Sequence, residues 1–397
     1  MTNSNGPRWR LLRLPGTPLR RRLLILLILI FLLLVVGSRQ ESVHKATLSL
    51  PVHISTPLKE LYSTPHWRSY AALGLAPPTS RFPENEFITL TTAAHVKNRA
   101  AAVQRLFSCY GKKEGEGTHN ETSDLYDFVV LPIGCFGDTL DACTSCTLSK
   151  TLVNATYCGR QKIGLFLGDN FYPYGIRSRR DRRFRRELRY KFYRFPELQM
   201  TYYATSGNHD GWPKYLYRTE KYWMMPAPFY RSGIQQSGET TVEIFTISTN
   251  PYDMIGRKHF FEYQKAWLNS SLANSTAQWK IVMTHEPIIN VISLQYHAQG
   301  LKYIHPLLKQ HGVQILVCAH LHGVFLHRVD GAYYQLTSAG FANNLVGSVN
   351  IHRPLGYNHL GVAATALLVK QETITVVSAD ADGYLVFHHI VPRHMAS

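Results

Sequence analysis

Four short apolar runs each end on residues able to bind a metal or move a proton. KIGLFL is followed by GDNFY, MTYYAT by SGNHD, WKIVMT by HEP and VQILVC by AHLH. The residues set there are Asp169, Asn170, Tyr172, Asn208, His209, Asp210, His285, His320 and His322. Oxygen and imidazole donors are the ligand set of zinc, iron or manganese. Each cluster alone has a plainer reading. GDN is a common turn, and Asp210 can satisfy backbone amides at a helix start. A single histidine such as His285 is more often a core or surface residue than a ligand, and HLH is simple strand alternation. Four such clusters in one domain carry more weight, because parallel strands bring the residues past their ends into one crevice.

The elements that would position these residues can be read along the chain. Apolar runs recur as FVVLPI, KIGLFL, MTYYAT, VEIFTIS, WKIVMT, VQILVC, AYYQLTS, AATALLV and TITVVS. Amphipathic helical stretches lie between several of them, notably HFFEYQKAWLNSSL and GLKYIHPLLKQHG. Alternating strands and helices predict an α/β domain, with the late strands adding antiparallel pairs. That domain is expected over residues 124–392. Residues 38–123 lack clean periodicity and read as a stalk or small N-terminal region, and residues 393–397 as a tail or vector-derived scar.

Residues 1–22 are basic, and the segment Leu23–Val36 is unbroken apolar sequence. As a helix that segment would span about 21 Å, short of a bilayer core of about 30 Å but close enough for flanking arginines to compensate. Residues 23–37 are therefore a signal anchor or a cleaved signal peptide. The anchor is preferred because the apolar stretch is long and the cleavage site poor. It predicts a single-pass type II membrane protein of the secretory pathway or cell surface, with its domain luminal or extracellular. Cleavage would release a secreted protein instead. Acceptor sequons at Asn120, Asn154, Asn269 and Asn274 agree with a luminal location and predict glycan. The six cysteines are Cys109, Cys135, Cys143, Cys146, Cys158 and Cys318. In an oxidising compartment one or two disulfides are expected among Cys143, Cys146 and Cys158, with CTSC lying in a loop. The excess of 43 basic over 26 acidic residues, a formal charge of +17, implies attraction to phosphate esters, lipid headgroups or another polyanion. Nothing in the chain favours nucleic acid in particular.

GDNFY, GNHD, a lone strand-end histidine and xHxH, in that order, resemble the calcineurin-like metallophosphoesterases. Within them the chain resembles the small purple acid phosphatases of the tartrate-resistant type. The likeness extends to MPAPFY after GNHD and to HPLLKQHGV before AHLH, and covers Asp124 to Gly347. It implies a four-layer α/β/β/α sandwich of two mixed sheets flanked by helices, with two metal ions between them: iron plus zinc, manganese or a second iron. Carried over by position, Asp169 would bridge the ions, and Tyr172 and His322 would bind the ferric one. Asn208, His285 and His320 would hold the divalent one, and His209 would stand beside the phosphate. His297 is a weaker match to a second histidine near the substrate. The implied activity is hydrolysis of phosphomonoesters by metal-bound hydroxide.

The chain departs from that pattern in its first motif. Where the family has Gly-Asp-x-Gly, Gly134-Cys135-Phe136-Gly137 stands here, so Cys135 replaces a carboxylate and only one ion is expected with full ligation. Asp138 would need a different turn to substitute. The family's Gly-His-x-His has Ala319 and Leu321 at its first and third positions, and its Leu-Asp-Thr strand end reads Ile247-Ser248-Thr249. Cys135 is expected to be an unpaired thiol turned into the crevice. Directly after GDNFY, the stretch from Arg177 to Arg189 holds eight arginines. Its plain reading is a solvated helix face with Phe184, Leu188 and Phe192 turned to the core. Its functional reading is a surface for an anionic partner. Two functions follow: a membrane-anchored phosphatase with a damaged first metal site, or a weakly active or inactive phosphatase-fold protein that binds an anion through its arginines.

Overall fold

A computed structural model describes residues 125–137, 142–254, 259–290, 295–296, 300–342, 357–359 and 361–394. The apolar segment, the expected stalk, Cys109, Asn120, Asp138 and His297 lie outside the described residues. Among the described residues no helix is long and apolar enough to cross a membrane.

Two mixed eight-stranded sheets form the scaffold. The first runs, in spatial order, β18 (Leu385–Pro392), β17 (Thr373–Asp380), β16 (Ala363–Val369), β1 (Tyr126–Ile133), β2 (Gly159–Leu167), β3 (Tyr202–Thr205), β5 (Trp223–Met225) and β4 (Arg218–Glu220). The second runs β15 (Tyr357–His359), β13 (Val324–Val329), β14 (Tyr333–Ser338), β12 (Ile315–Cys318), β9 (Trp279–Met283), β8 (Thr240–Thr246) and β6 (Tyr230–Arg231), with β7 (Gln235–Ser237) also paired to β8. A separate two-residue pair joins β10 (Ile289–Asn290) to β11 (Gln295–Tyr296). β1, β2 and β3 are parallel, as are β8, β9, β12 and β14. The strands from β16 onward add antiparallel pairs, as the sequence predicts.

Period-two alternation divides the second sheet's side chains between two layers. Ile244, Ile281, Met283, Ile315 and Val317 join the core that holds Phe128, Val130 and Phe166 of the first sheet. Their neighbours Phe245, Val282 and Leu316 face the other way, onto Leu268 and Leu272 of one helix and Leu307 and Leu308 of another. In chain order the helices are α1 (Ala142–Thr156), α2 (Arg182–Leu188), α3 (Pro251–Met254), α4 (Phe260–Ala273) and α5 (His305–Gln310). α1 packs against β1, β2 and β16. Phe184, Leu188 and Phe192 are all buried, and α2 runs on through a π-turn at Arg189–Tyr193, so the plain reading of the arginine-rich segment holds.

CTSC is a correction. Cys143 to Cys146 lies in the first turns of α1, not in a loop. Thr, Ser and Cys are indifferent helix formers. The stripe of Leu148, Leu152 and Ala155, all buried, decides the matter through packing. Cys158 is disulfide-bonded, whereas Cys146 keeps a free thiol.

Candidate metal centre

The site lies where the two sheets present strand ends to each other. β2 and β3 of the first sheet deliver Asp169, Tyr172, Asn208 and His209, and β9 and β12 of the second deliver His285, His320 and His322. Among the described residues, four non-glycine residues have positive φ, and three are here: Cys135 at 55°, Asp169 at 53° and His320 at 66°. Such backbone is disfavoured for residues with a Cβ and persists where the surroundings over-determine it. Close packing does so. A Cβ on Gly207 would fall 2.2 Å from Asp169 Oδ1, and one on Gly134 would fall 2.3 Å from the Cβ of Ala319.

Asp169 is the hub. Its Oδ1 accepts from the His209 amide at 2.8 Å. Its Oδ2 accepts from the Tyr172 hydroxyl at 2.9 Å and lies 3.4 Å from His285 Nε2. On one side of it, Asn208 Oδ1 is 3.1 Å from His285 Nε2 and 3.0 Å from His320 Nδ1. On the other, the Tyr172 hydroxyl is 3.3 Å from His322 Nε2, and Cys135 Sγ is 4.0 Å from Asp169 Oδ2. Cys135, Asp169 and His285 each offer one ligand atom within 4.8 Å of the others. Donors around a first-row ion at about 2.0–2.3 Å are separated by roughly 3.3–3.6 Å in tetrahedral geometry. The observed separations bracket that range, so the residues fit a metal.

Electrostatics sharpen the picture. Burial works against a charge on Asp169, but His285, the His209 amide and the Tyr172 hydroxyl outweigh it and hold the carboxyl below its usual range. Burial likewise opposes a charge on His285, yet Asp169 and the Leu167 carbonyl lift it to about 9. A metal at Nε2 would displace that proton. Burial pushes the Cys135 thiol well up, and the charge of Asp169 adds to the effect. Cys135 is free, buried and beside Asp169, as the sequence reading expects.

The supporting residues were mostly missed by sequence reading. Asp210 caps more than its own turn, accepting from the amides of Gly207 at 2.9 Å, Asn170 at 3.0 Å and Phe171 at 3.0 Å. Its spacing from Asn208 is visible in the sequence, but its partners past the neighbouring strand β2 are not. Arg183 reaches back from α2 to the carbonyls of Tyr172 and Gly175 while paired with Asp181 at 2.8 Å. No local signal separates it from its arginine neighbours. Lys191 is buried and donates to the Phe136 carbonyl, and the Cys135 amide donates to Gly168 O at 3.0 Å. Together they fix the turn that carries the thiol. Thr249 accepts from the Glu286 amide at 2.9 Å, bracing the loop of His285.

The family model for calcineurin-like phosphoesterases matches residues 118–324. The chain belongs to that family. Within it, the chain is 27% identical over 281 residues to tartrate-resistant acid phosphatase type 5 of Oryctolagus cuniculus, covering 62% of this chain and 85% of the relative. It is 26% identical over 251 residues to purple acid phosphatase 3 of Arabidopsis thaliana, covering 56% and 66%. A solved structure described as GAP50, the anchor in the inner membrane complex of Plasmodium, shares the fold with a TM-score of 0.54 at 16% identity, over 67% of this chain and 89% of that one. The two mixed sheets with flanking helices are thus the phosphoesterase fold, and this family member's relatives include purple acid phosphatases.

Proposed function

We propose that the protein is a metal-dependent phosphomonoester hydrolase, held by its N-terminal segment to a membrane of the secretory pathway or the cell surface with its domain, residues 124–392, outside the cytosol. The observation that carries the catalytic reading is the convergence of Asn208, His285 and His320 with Asp169, at separations of 3.0–3.4 Å. Asp169, Asn208, His285 and His320 would hold a divalent ion, and Asp169, Tyr172 and His322 would hold a second. When bound, such ions polarise phosphate oxygens and acidify a water molecule.

The chain's own residues do the rest. Asp169 offers one oxygen to the shared edge while the His209 amide fixes the other. His209 Nδ1 is 3.2 Å from the Pro173 carbonyl, and its ring stacks on Tyr172 at 4.2 Å. With Nδ1–H donated to that carbonyl, Nε2 is the atom left to hold a proton for the leaving oxygen. His285 is oriented by its 2.8 Å contact with the Leu167 carbonyl. Assay of p-nitrophenyl phosphate from about pH 4 to about pH 8, with elemental analysis of the same preparation, tests the reading. Metal-dependent turnover is expected, and a well-folded protein with less than about a tenth of an equivalent of transition metal would refute it.

A second reading is favoured by Cys135. Kept protonated, it adds no charge where the family has a carboxylate, and the protein would then be a weakly active phosphatase-fold binder. Its anionic partner would meet the exposed Arg177, Arg179, Arg180, Arg182, Arg185 and Arg189. The anchoring described for the Plasmodium protein is consistent with that role.

A further inference from the structure

Burying Phe184, Leu188 and Phe192 turns the opposite face of α2 and its π-turn to water, and that face is a row of arginines. Arg182, Arg185 and Arg189 stand on it at i, i+3 and i+7. Neighbours in such a row are about 5–6 Å apart, and the three cover about 10 Å of helix. Arg177, Arg179 and Arg180 extend the row into the preceding loop, and all six are exposed. Every cation from Arg177 to Arg189 is arginine.

Two carboxylates lie in the same stretch, and each is paired with an arginine outside the row. Asp181 accepts from the amides of Arg177 and Arg183, both at 3.0 Å, and its ion pair is with Arg183, the arginine turned inward to Tyr172 and Gly175. Glu187 pairs with Arg186 at 2.9 Å. Among the described residues none of the six arginines of the row is within ion-pair distance of a carboxylate. Like charges set this close repel one another until a partner supplies the opposite charge. Nor is the surface loose. Arg218 donates to the Arg179 carbonyl at 3.4 Å and lies 3.8 Å over the ring of Phe184. A partner therefore meets arginines whose backbone is already in place, which lowers the ordering cost of binding. At the loop end, Arg177 shares a hollow with Lys214 and with Tyr174 and Trp212, which are 77% and 54% exposed.

We propose that this row is a docking surface for a linear sulfated polysaccharide. The proposal rests on the second reading above, whose anionic partner it names, and does not depend on turnover at the metal centre. A straight row of cations matches a chain that repeats its negative charge along one line. Planar guanidinium forks take sulfate oxygens two at a time, which a lysine ammonium does not. Basic clusters of this density suit heparin-like chains as well as nucleic acid. The location proposed above chooses between the candidates. Nucleic acid and the strongly anionic membrane leaflet lie on the cytosolic side, whereas sulfated glycans lie on the side of the domain. Tyr174 and Trp212 offer open rings to the apolar face of a sugar at the end of the row.

The test uses the full chain held in nanodiscs of neutral phosphatidylcholine. It is titrated by calorimetry with a heparin hexasaccharide, with the same hexasaccharide stripped of its sulfates but keeping its carboxylates, and with vesicles of phosphatidylserine and phosphatidylcholine. One variant combines Arg182→Ser, Arg185→Ser and Arg189→Ser. A second removes the same charge elsewhere, through Lys265→Ser, Lys302→Ser and Lys309→Ser, three exposed lysines on or beside the helices that cover the second sheet. Thermal melts confirm that both fold. The sulfated chain is expected to bind best, and the arginine variant to bind it about twentyfold more weakly. The lysine variant should change little at moderate salt, where distant charges are screened. Equal binding of the desulfated chain, or equal losses in the two variants, would overturn the proposal by reducing it to net charge. Vesicles bound more tightly than the glycan through the same arginines would overturn the glycan assignment and leave the anionic-partner reading standing. No binding of any of the three probes would overturn both.

Discussion

The two halves of the centre share Asp169 and differ in almost everything else. In the half built on Asn208, His285 and His320, every donor is tied to another: Asn208 Oδ1 touches both imidazoles, and His285 is fully buried with its far nitrogen on the Leu167 carbonyl. In the half built on Cys135, Tyr172 and His322, the Tyr172 hydroxyl lies 2.9 Å from Asp169 Oδ2 and 3.3 Å from His322 Nε2, while Cys135 Sγ stands off at 4.0 Å from Asp169 Oδ2. Burial holds Cys135 neutral, and the Tyr172 proton is given to Asp169. The halves therefore differ in charge as well as in distance. A hard trivalent ion needs anionic oxygen donors, and one half has a soft neutral thiol where a carboxylate would stand. The phosphoesterase fold is present, and beside Asp169 it carries a buried, neutral thiol.

The largest effect should come from the residue both halves use. Asp169→Asn keeps the shape but halves the acceptor capacity and removes the charge, so both ions and about three orders of magnitude in turnover should be lost, on the order of 4 kcal/mol of stabilisation. Elemental analysis beside kinetics would show it, and retention of two ions would break the view of Asp169 as the shared ligand. His285→Ala should act on one half alone. We expect the divalent ion to be lost and activity to fall about a hundredfold, with any metal at the Tyr172 side retained. Loss of both ions together would mean that the halves are not separable.

Cys135→Asp should sharpen the contrast by repairing the weaker half. The unmodified protein is expected to be colourless. The variant, reconstituted with iron, should gain a tyrosinate-to-ferric absorption band and turn over about tenfold faster. A visible band already present before mutation, or a variant holding less metal, would show that the thiol is a working ligand. The smallest effect concerns support. Arg183→Met strips the donors from the Tyr172 and Gly175 carbonyls, and should lower stability by about 1–2 kcal/mol and weaken the Tyr172 half without touching the divalent ion. Arg183→Lys should not rescue it, since a point charge cannot span the fork. Thermal melts with metal titration separate these outcomes.

The fold and the list of clustered residues were legible in the sequence because both depend on short-range pattern. Period-two apolar runs specify strands, and donors written directly after strands must lie at the sheet edge. GDNFY, GNHD, His285 and the two histidines of HLH therefore mark the cluster in the sequence itself. The arginine-rich helix was legible for the same reason, through the spacing of Phe184, Leu188 and Phe192. Sequence also raises the question of Cys135, since a thiol where the resemblance implies a carboxylate is visible in one letter.

What only the tertiary structure decided were matters of long-range contact. CTSC became helix because Leu148 and Leu152 found a sheet to cover, overriding weak local preference. Arg183 was singled out from its neighbours because only its guanidinium meets the carbonyls of the Tyr172 loop, residues 8 and 11 positions away. Asp210 became a brace rather than a local cap because its carboxylate meets amides 40 and 39 positions upstream. The protonation of Cys135 depends on what surrounds it, since desolvation is a property of the packed volume and not of the chain. Donor spacing, burial and charge are set by how two sheets approach one another, and no local pattern encodes that distance.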